Sequence, residues 1–285
     1  MKFLRYTLFA AAFLGAACQN GNETPNDKAD VKSADFTLRA TSDIRTPSPI
    51  KAATFVPNSV ASWLGHIILL DKKGTLHRAT TDSAETEVVA LGRYADVIGI
   101  AREKKSGVFL ALTPQGQIKA FVQSDNEGNF SPLAVSQGEQ TFERFCALAA
   151  PSGSTIWART TSRSSQKLNI DIFEDTSVTL SKANVTEDET DPCEANNALN
   201  LSGGLAVKPD SSSNGLILVS DKKNMTMQVE NGLSIGGVKD AGFVTVTSAN
   251  MGSVYNEGVL LIAEKHEGRL VLISRGYAIK ELETR

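Results

Sequence analysis

Short apolar runs recur along the chain, each opened by glycine and folded back through a polar turn into a second, alternating run. Gly65 to Arg78 reads GHIILLDKKGTLHR, Gly107 to Phe121 GVFLALTPQGQIKAF, Gly215 to Val229 GLILVSDKKNMTMQV, and Gly258 to Leu272 GVLLIAEKHEGRLVL. A longer-turned version follows Gly153, STIWARTTSRSSQKLNIDIF. Each reads as a β-hairpin, with apolar residues on both faces of its first strand. Successive starts are 42, 46, 62 and 43 residues apart. A period near forty in β-branched hairpins predicts propeller blades, because one small sheet cannot bury both of its faces alone.

Four strands per repeat follow if the hairpin supplies the second and third. First strands are expected at Lys51–Val56, Asp96–Ala101, Phe145–Ala149, Gly204–Val207 and Gly242–Val246. Fourth strands are expected at Thr86–Leu91, Phe130–Val135, Thr176–Ser181, Gly232–Ile235 and Tyr277–Leu282. The expected fold is all-β, a single propeller of five four-stranded blades, with six as the alternative count. It occupies 51–285. Asp35 to Ala40 alternates weakly and is a candidate edge strand for the last blade, a place that Tyr277–Leu282 also claims.

Alternating strand direction gathers the hairpin turns on one face with the links that enter each next blade. That face should carry Asp71, Lys72, Lys73, Asp96, Asp221 and Lys222. Its widest link, Lys182 to Ser202, holds the acidic run TEDETDPCEANN. Long loops on a rigid scaffold often carry function.

Composition narrows the function. A net charge of −3 offers no basic field for nucleic acid, and 6% aromatics leaves few stacking platforms. Met1 to Ala17 has basic residues, an apolar stretch and small residues, which predicts a signal peptide over 1–17. Leu14-Gly15-Ala16-Ala17-Cys18 resembles the lipobox of bacterial lipoproteins, with Gly15 where leucine is usual. The resemblance implies lipid on Cys18, a membrane as partner, and an outer-membrane address because Gln19 is not aspartate. Ordinary cleavage after Ala17 is the alternative. Residues 18–50 then form a polar tether. Cys146 and Cys193 are left either as a disulfide in an oxidising compartment or as two separate buried thiols.

No common catalytic spacing is present: no nucleotide-phosphate loop, no G-x-S-x-G, no H-E-x-x-H and no paired C-x-x-C. His66, His77 and His266 are not spaced as metal ligands and read as packing or surface residues. Glu187 to Asp191 could hold calcium, and the twin lysines Lys72-Lys73 and Lys222-Lys223 could meet an anion.

Leu70-Asp71-Lys72-Lys73-Gly74-Thr75-Leu76 resembles the DKKGGL hairpin of β-propeller phytases. Ala95-Asp96-Val97 resembles their VDV segment, and Glu143 to Leu148 with Pro151-Ser152-Gly153 their YGFCLYHSPKTG. Val244-Thr245, Gly252, Gly258 to Leu261 and Leu270-Val271 are similar to their closing blade. The resemblance implies calcium-dependent hydrolysis of inositol hexakisphosphate, Lys72 or Lys73 as a phosphate contact, and Asp96 in an acidic top face, with Asp210 (metal) and Asp221 beside it. The family's opening carboxylate has no counterpart in PIKAATFV, and Lys208 stands where an acid is needed. Its six blades exceed the five found here. The expected function is therefore an envelope lipoprotein whose phytase-like propeller binds a protein or an anionic small molecule and requires no cofactor. A calcium-dependent phosphomonoesterase is the alternative.

Overall fold

The computed structural model describes residues 34–284, apart from 91, 125–127, 149–153, 187–188, 190, 194–198, 203–204, 211, 213–214 and 221–223. These form one compact unit. Cys18, Asp221 and Lys222 lie outside the described residues.

The chain enters through two short strands, β1 (Phe36–Arg39) and β2 (Ser42–Arg45). Five meanders follow. The first is β3 (Ile50–Val56), β4 (His66–Asp71), β5 (Leu76–Ala79) and β6 (Glu87–Ala90), and the second is β7 (Asp96–Ile100), β8 (Val108–Leu112), β9 (Ile118–Gln123) and β10 (Phe130–Ser136). The third is β11 (Phe142–Leu148), β12 (Thr155–Thr160), β13 (Ser165–Phe173) and β14 (Ser177–Lys182). The fourth is β15 (Leu199–Ser202), β16 (Leu205–Pro209), β17 (Leu216–Val219) and β18 (Asn224–Glu230). The fifth has three strands of its own, β19 (Ala241–Thr247), β20 (Val259–Glu264) and β21 (Arg269–Ser274), before α1 (Arg275–Glu283).

The missing outer strand of the fifth blade is β2, antiparallel to β21 with Ser42 opposite Leu272 and Arg45 opposite Arg269. β1 extends the fourth blade, parallel to β18. Head and tail of the domain thus share sheets, the usual way to protect the edges of an incompletely closed ring. The second and third blades are additionally joined at their outer edges, where β10 pairs in parallel with β14.

Burial on both faces explains the continuous apolar runs. In β4, Ile67 and Leu69 join the fifth blade's Val259, Leu261 and Leu270, while Ile68 and Leu70 join the second blade's Val97 and Phe109. β20 and β8 divide their side chains between two neighbours in the same way. The four apolar clusters occupy the seams between blades one and two, two and three, four and five, and five and one.

Four sequence expectations are corrected. The strand within Asp35–Ala40, β1, edges the fourth blade and not the last, whose outer place is taken by β2. Tyr277–Leu282 is not a fourth strand: it lies in α1, where the Ser274 hydroxyl accepts the Tyr277 N–H and Tyr277, Ala278 and Leu282 pack onto the fourth and fifth blades. Gly232–Ile235 forms no strand. The fourth blade begins one strand earlier than expected, with β15, so Gly204–Val207 contributes to a second strand rather than a first. β18 accordingly ends beside the fifth blade's tip: the Arg269 guanidinium at the foot of β21 donates to the carbonyls of Gly236 and Gly237, just beyond that end.

Candidate functional site

The turns between second and third strands define one end of the ring, the tip face. In the first four blades the second strand ends on a backbone N–H that closes its turn: Asp71 to Thr75 O (3.0 Å), Thr113 to Gln117 O (2.8 Å), Thr160 to Ser164 O (2.8 Å) and Asp210 to Gly215 O (2.9 Å). The turn glycines reach the neighbouring blade. Gly74 and Gly116 have φ of +89° and +81°, and an added Cβ would meet Tyr94 O at 3.0 Å and Phe142 O at 2.8 Å. Their carbonyls accept the N–H groups of Tyr94 and Phe142. Gly268 does the same for Thr46, which carries the ring from the fifth blade into the first. A glycine is required where the conformation is left-handed and backbones approach this closely.

The expected site residues mostly serve these tips. Asp71 is buried; its Oδ1 accepts from Lys73 N (2.9 Å) and Thr75 N (2.8 Å), and its Oδ2 accepts the Ser48 hydroxyl at 2.7 Å and faces His77 Nε2 at 3.3 Å. The Lys72 ammonium donates to Lys265 O of the fifth blade at 2.9 Å, and Lys73 is exposed. Asp96, at the start of β7, accepts from Val97 N (2.9 Å) and from Phe145 N of the third blade (2.7 Å). The corrected register brings Asp210 to the same end as Asp71, where its Oδ1 accepts the N–H (2.9 Å) and hydroxyl (2.7 Å) of Ser212. Val219 and Asn224, which flank Asp221 and Lys222, end the third strand and begin the fourth, at the opposite end of the ring.

Electrostatics follow these contacts. Burial alone would raise the Asp71 pKa, but the Ser48, Thr75 and His77 interactions outweigh it and hold the carboxyl below its ordinary value of 3.8. Burial dominates at Asp96 and raises its pKa, against the opposing pull of the Phe145 and Val97 N–H groups, Lys51 and Arg144. A lowered carboxylate contributes stability that is present above its unfolded pKa and lost as pH falls through the folded one. Acid titration of the melting temperature should therefore show a steeper loss below about pH 4 in the wild type than in Asp71→Asn; parallel curves would remove Asp71 from the balance.

These three carboxylates do not fit a multi-calcium clamp. Each is committed to its own turn or to one strand pair, and among the described residues no three Asp, Glu, His or Cys side chains converge as metal ligands. A recess lies elsewhere on the tip face, a cleft of about 730 Å³ between the fourth and fifth blades. Arg39, Arg45 and Lys239 stand exposed on its walls with Glu230 and Glu267, and Arg269 forms its floor. Sequence reasoning missed this cleft because two of its arginines, Arg39 and Arg45, lie on strands contributed from the far end of the chain.

A third feature is the seam between the third and fourth blades. Ile156, Ala158 and Leu168 face the second blade; the alternate residues, among them Arg144, Trp157, Arg159 and Lys167, face the other way. No apolar cluster bridges the third and fourth blades among the described residues. The link after β14 lies against this face. Cys193 is bonded to Cys146, which sits at a bulge in β11. Arg144 donates to Cys193 O at 2.6 Å, and Lys167 pairs with Glu189. The disulfide alternative is therefore the one realised.

The strand order and the tip-to-link bonds define an all-β propeller. No family model and no curated protein sequence matches the chain. Among solved structures it is similar to the β-propeller domain of Myceliophteria thermophila Cps50 (Swd1), at 9% identity over 82% of this chain and 99% of that one, TM-score 0.40. Similar too are Saccharomyces cerevisiae Sqt1 (12%, 85% and 64%, TM-score 0.37) and a gluconolactonase-like protein (11%, 84% and 93%, TM-score 0.38).

Proposed function

We propose that this chain is a bacterial envelope lipoprotein, anchored through lipid on Cys18 to the outer membrane, whose propeller is a binding module for a protein or an anionic small molecule. The observation that carries the binding reading is the contrast on the tip face. The carboxylates expected to hold metal are committed to backbone donors in two turns and one strand pair, whereas the cleft beside them presents Arg39, Arg45 and Lys239 on a floor fixed by Arg269. Exposed cations around a rigid recess suit recognition of anionic groups, and rigidity lowers the cost of binding.

Phosphate release from inositol hexakisphosphate and a simple aryl phosphate, with and without added calcium, tests this against the phytase-like alternative. No turnover above buffer is expected. Calcium-dependent turnover abolished by Lys73→Ala would overturn the binding reading. The anchor is tested by palmitate labelling in a bacterial host, which Cys18→Ala should abolish; an unlabelled wild type refutes it.

A further inference from the structure

The end of the ring opposite the tips, its base, carries the links from first strands to second strands. Two of these, 57–65 of the first blade and 248–258 of the fifth, lie side by side: a Cβ on Gly252 would come within 3.2 Å of Trp63 Cα. Both links are fastened from beneath. The Asn58 side chain accepts the N–H groups of Val60 and Ala61 at 3.0 Å ahead of a short 3-10 turn, Ser62–Leu64, and Met251 and Tyr255 are buried in the core between the two blades. Their apolar tops nevertheless face water, with Val60 72%, Trp63 71% and Val254 54% exposed. Large apolar side chains grouped on an ordered surface and rimmed by polar residues mark a contact.

The adjoining link of the second blade supplies charge. Asn58 bridges to Ser106, and the Lys105 N–H donates to the Ser59 hydroxyl oxygen at 2.9 Å, which sets the exposed Lys104 and Lys105 at the edge of the apolar group. Glu103 lies 3.8 Å from Lys104 and offsets it, whereas Lys105 pairs with no carboxylate among the described residues. The chain also arrives at this end. β1 runs parallel to β18, which starts at the base with Asn224, so Asp35 stands at the base beside Thr226, and residues 19–33 are all that separates Ala34 from Cys18.

We propose that the base of the ring is a membrane-contact surface, with Trp63, Val60 and Val254 seated at the boundary between headgroups and acyl chains and Lys105 on anionic phospholipid. An indole suits that depth, because its ring is apolar while its N–H still needs a polar partner. Affinity of such a surface grows with apolar area and with attraction between its cations and anionic lipid. A tether adds to both, since it turns docking into an intramolecular step and makes a weak contact sufficient. A bilayer is also the surface that a lipid on Cys18 would hold against this end of the domain. The tip face and its cleft then point away from the membrane. The inference rests on the lipoprotein reading for its tether; the surface itself does not require acylation.

The test couples the mature chain, from Cys18 onward, to a maleimide-bearing lipid in vesicles of phosphatidylcholine with or without phosphatidylglycerol. Cys146 and Cys193 are joined, so Cys18 is the thiol that reacts, and acylation in the cell is not needed. Trp63 and Trp157 are the two tryptophans, and Trp157 is buried, so the emission lost in Trp63→Ala reports Trp63 alone. On vesicles that emission should shift to the blue and be quenched by lipids brominated near the glycerol end of the acyl chain. On anionic vesicles the ratio of docked to undocked chain should fall about fivefold in Lys105→Gln. It should not change in Lys119→Gln, which alters an exposed lysine near the tips. Trp63→Ala should melt with the wild type, because the side chain is exposed. Trp63 emission unmoved and unquenched on vesicles overturns the proposal. A blue shift that grows with protein concentration in the absence of vesicles assigns the patch to a second copy of the chain and overturns it as well. Quenched Trp63 in a chain that the bacterial host does not label with palmitate refutes the anchor and upholds the surface.

Discussion

Replacing Arg269 with methionine should lower the melting temperature by on the order of 10 °C, corresponding to about 3–5 kcal/mol. Arg269 is buried on β21, opposite Arg45 of β2. Its Nε donates to Asp43 of β2 at 2.8 Å, one terminal nitrogen donates to Glu264 at 3.1 Å and Gly237 O at 2.8 Å, and the other donates to Gly236 O. It therefore joins the fifth blade's hairpin, the strand that completes that blade, and the loop arriving from the fourth. Methionine conserves much of the volume, so the loss is chiefly electrostatic. Glu264 is 2% exposed with Oε2 already unpaired, and without the guanidinium it would keep only the Lys239 N–H. Removing one member of a buried charge group costs more than the group contributes, because the other charge stays behind. Adding Glu264→Gln to Arg269→Met should accordingly recover part of the loss. A single variant within 1 kcal/mol of wild type, roughly the worth of an exposed ion pair, would show that the network does not hold the closure.

The second large effect is expected from Cys193→Ser. The disulfide closes a loop spanning 47 residues, for which chain entropy gives roughly 4 kcal/mol. Elsewhere in the ring such a loss would be shared with a packed seam. Among the described residues the covering link is held otherwise by the Arg144 bond to Cys193 O, the Lys167 pair with Glu189 and the Ala183 N–H to Lys167 O, all polar contacts. The melting temperature should fall by about 10 °C, and the link should become protease-sensitive before the rest of the domain. Identical melting of oxidised and reduced wild type would contradict this.

The hairpin period made the blades legible because a strand buried on both faces writes a continuous apolar run, as in His66–Asp71, Val108–Leu112 and Val259–Glu264. Where burial is one-sided the signal weakens. The fourth blade's β17 alternates, and Asp221-Lys222-Lys223 repeats the residues of the first blade's turn, which drew the register one strand too far. The true counterpart of Asp71 is Asp210, inside KPDSSSNG. Tyr277–Leu282 reads equally as strand or helix in sequence, because four apolar residues in a six-residue window do not separate the two periods. β1 and β2 are four residues each, and nothing local in them specifies partners that lie 191 or 226 residues away. The site was less legible than the fold for the same reason. Asp71 and Asp96 are on the tip face as expected, but their oxygens are spent on backbone donors, which a sequence does not display.

The tip face, its cleft and the polar seam exist only if residues 36–45 finish the fourth and fifth blades. Amide hydrogen exchange read by mass spectrometry measures this most directly, by comparing peptides over Phe36–Arg45 with those over Val259–Glu264. Protection of the two that rises and falls together, and that drops together in Arg269→Met, is the predicted result. Exchange of Phe36–Arg45 within seconds while Val259–Glu264 stays protected would contradict the closure and the sites built upon it.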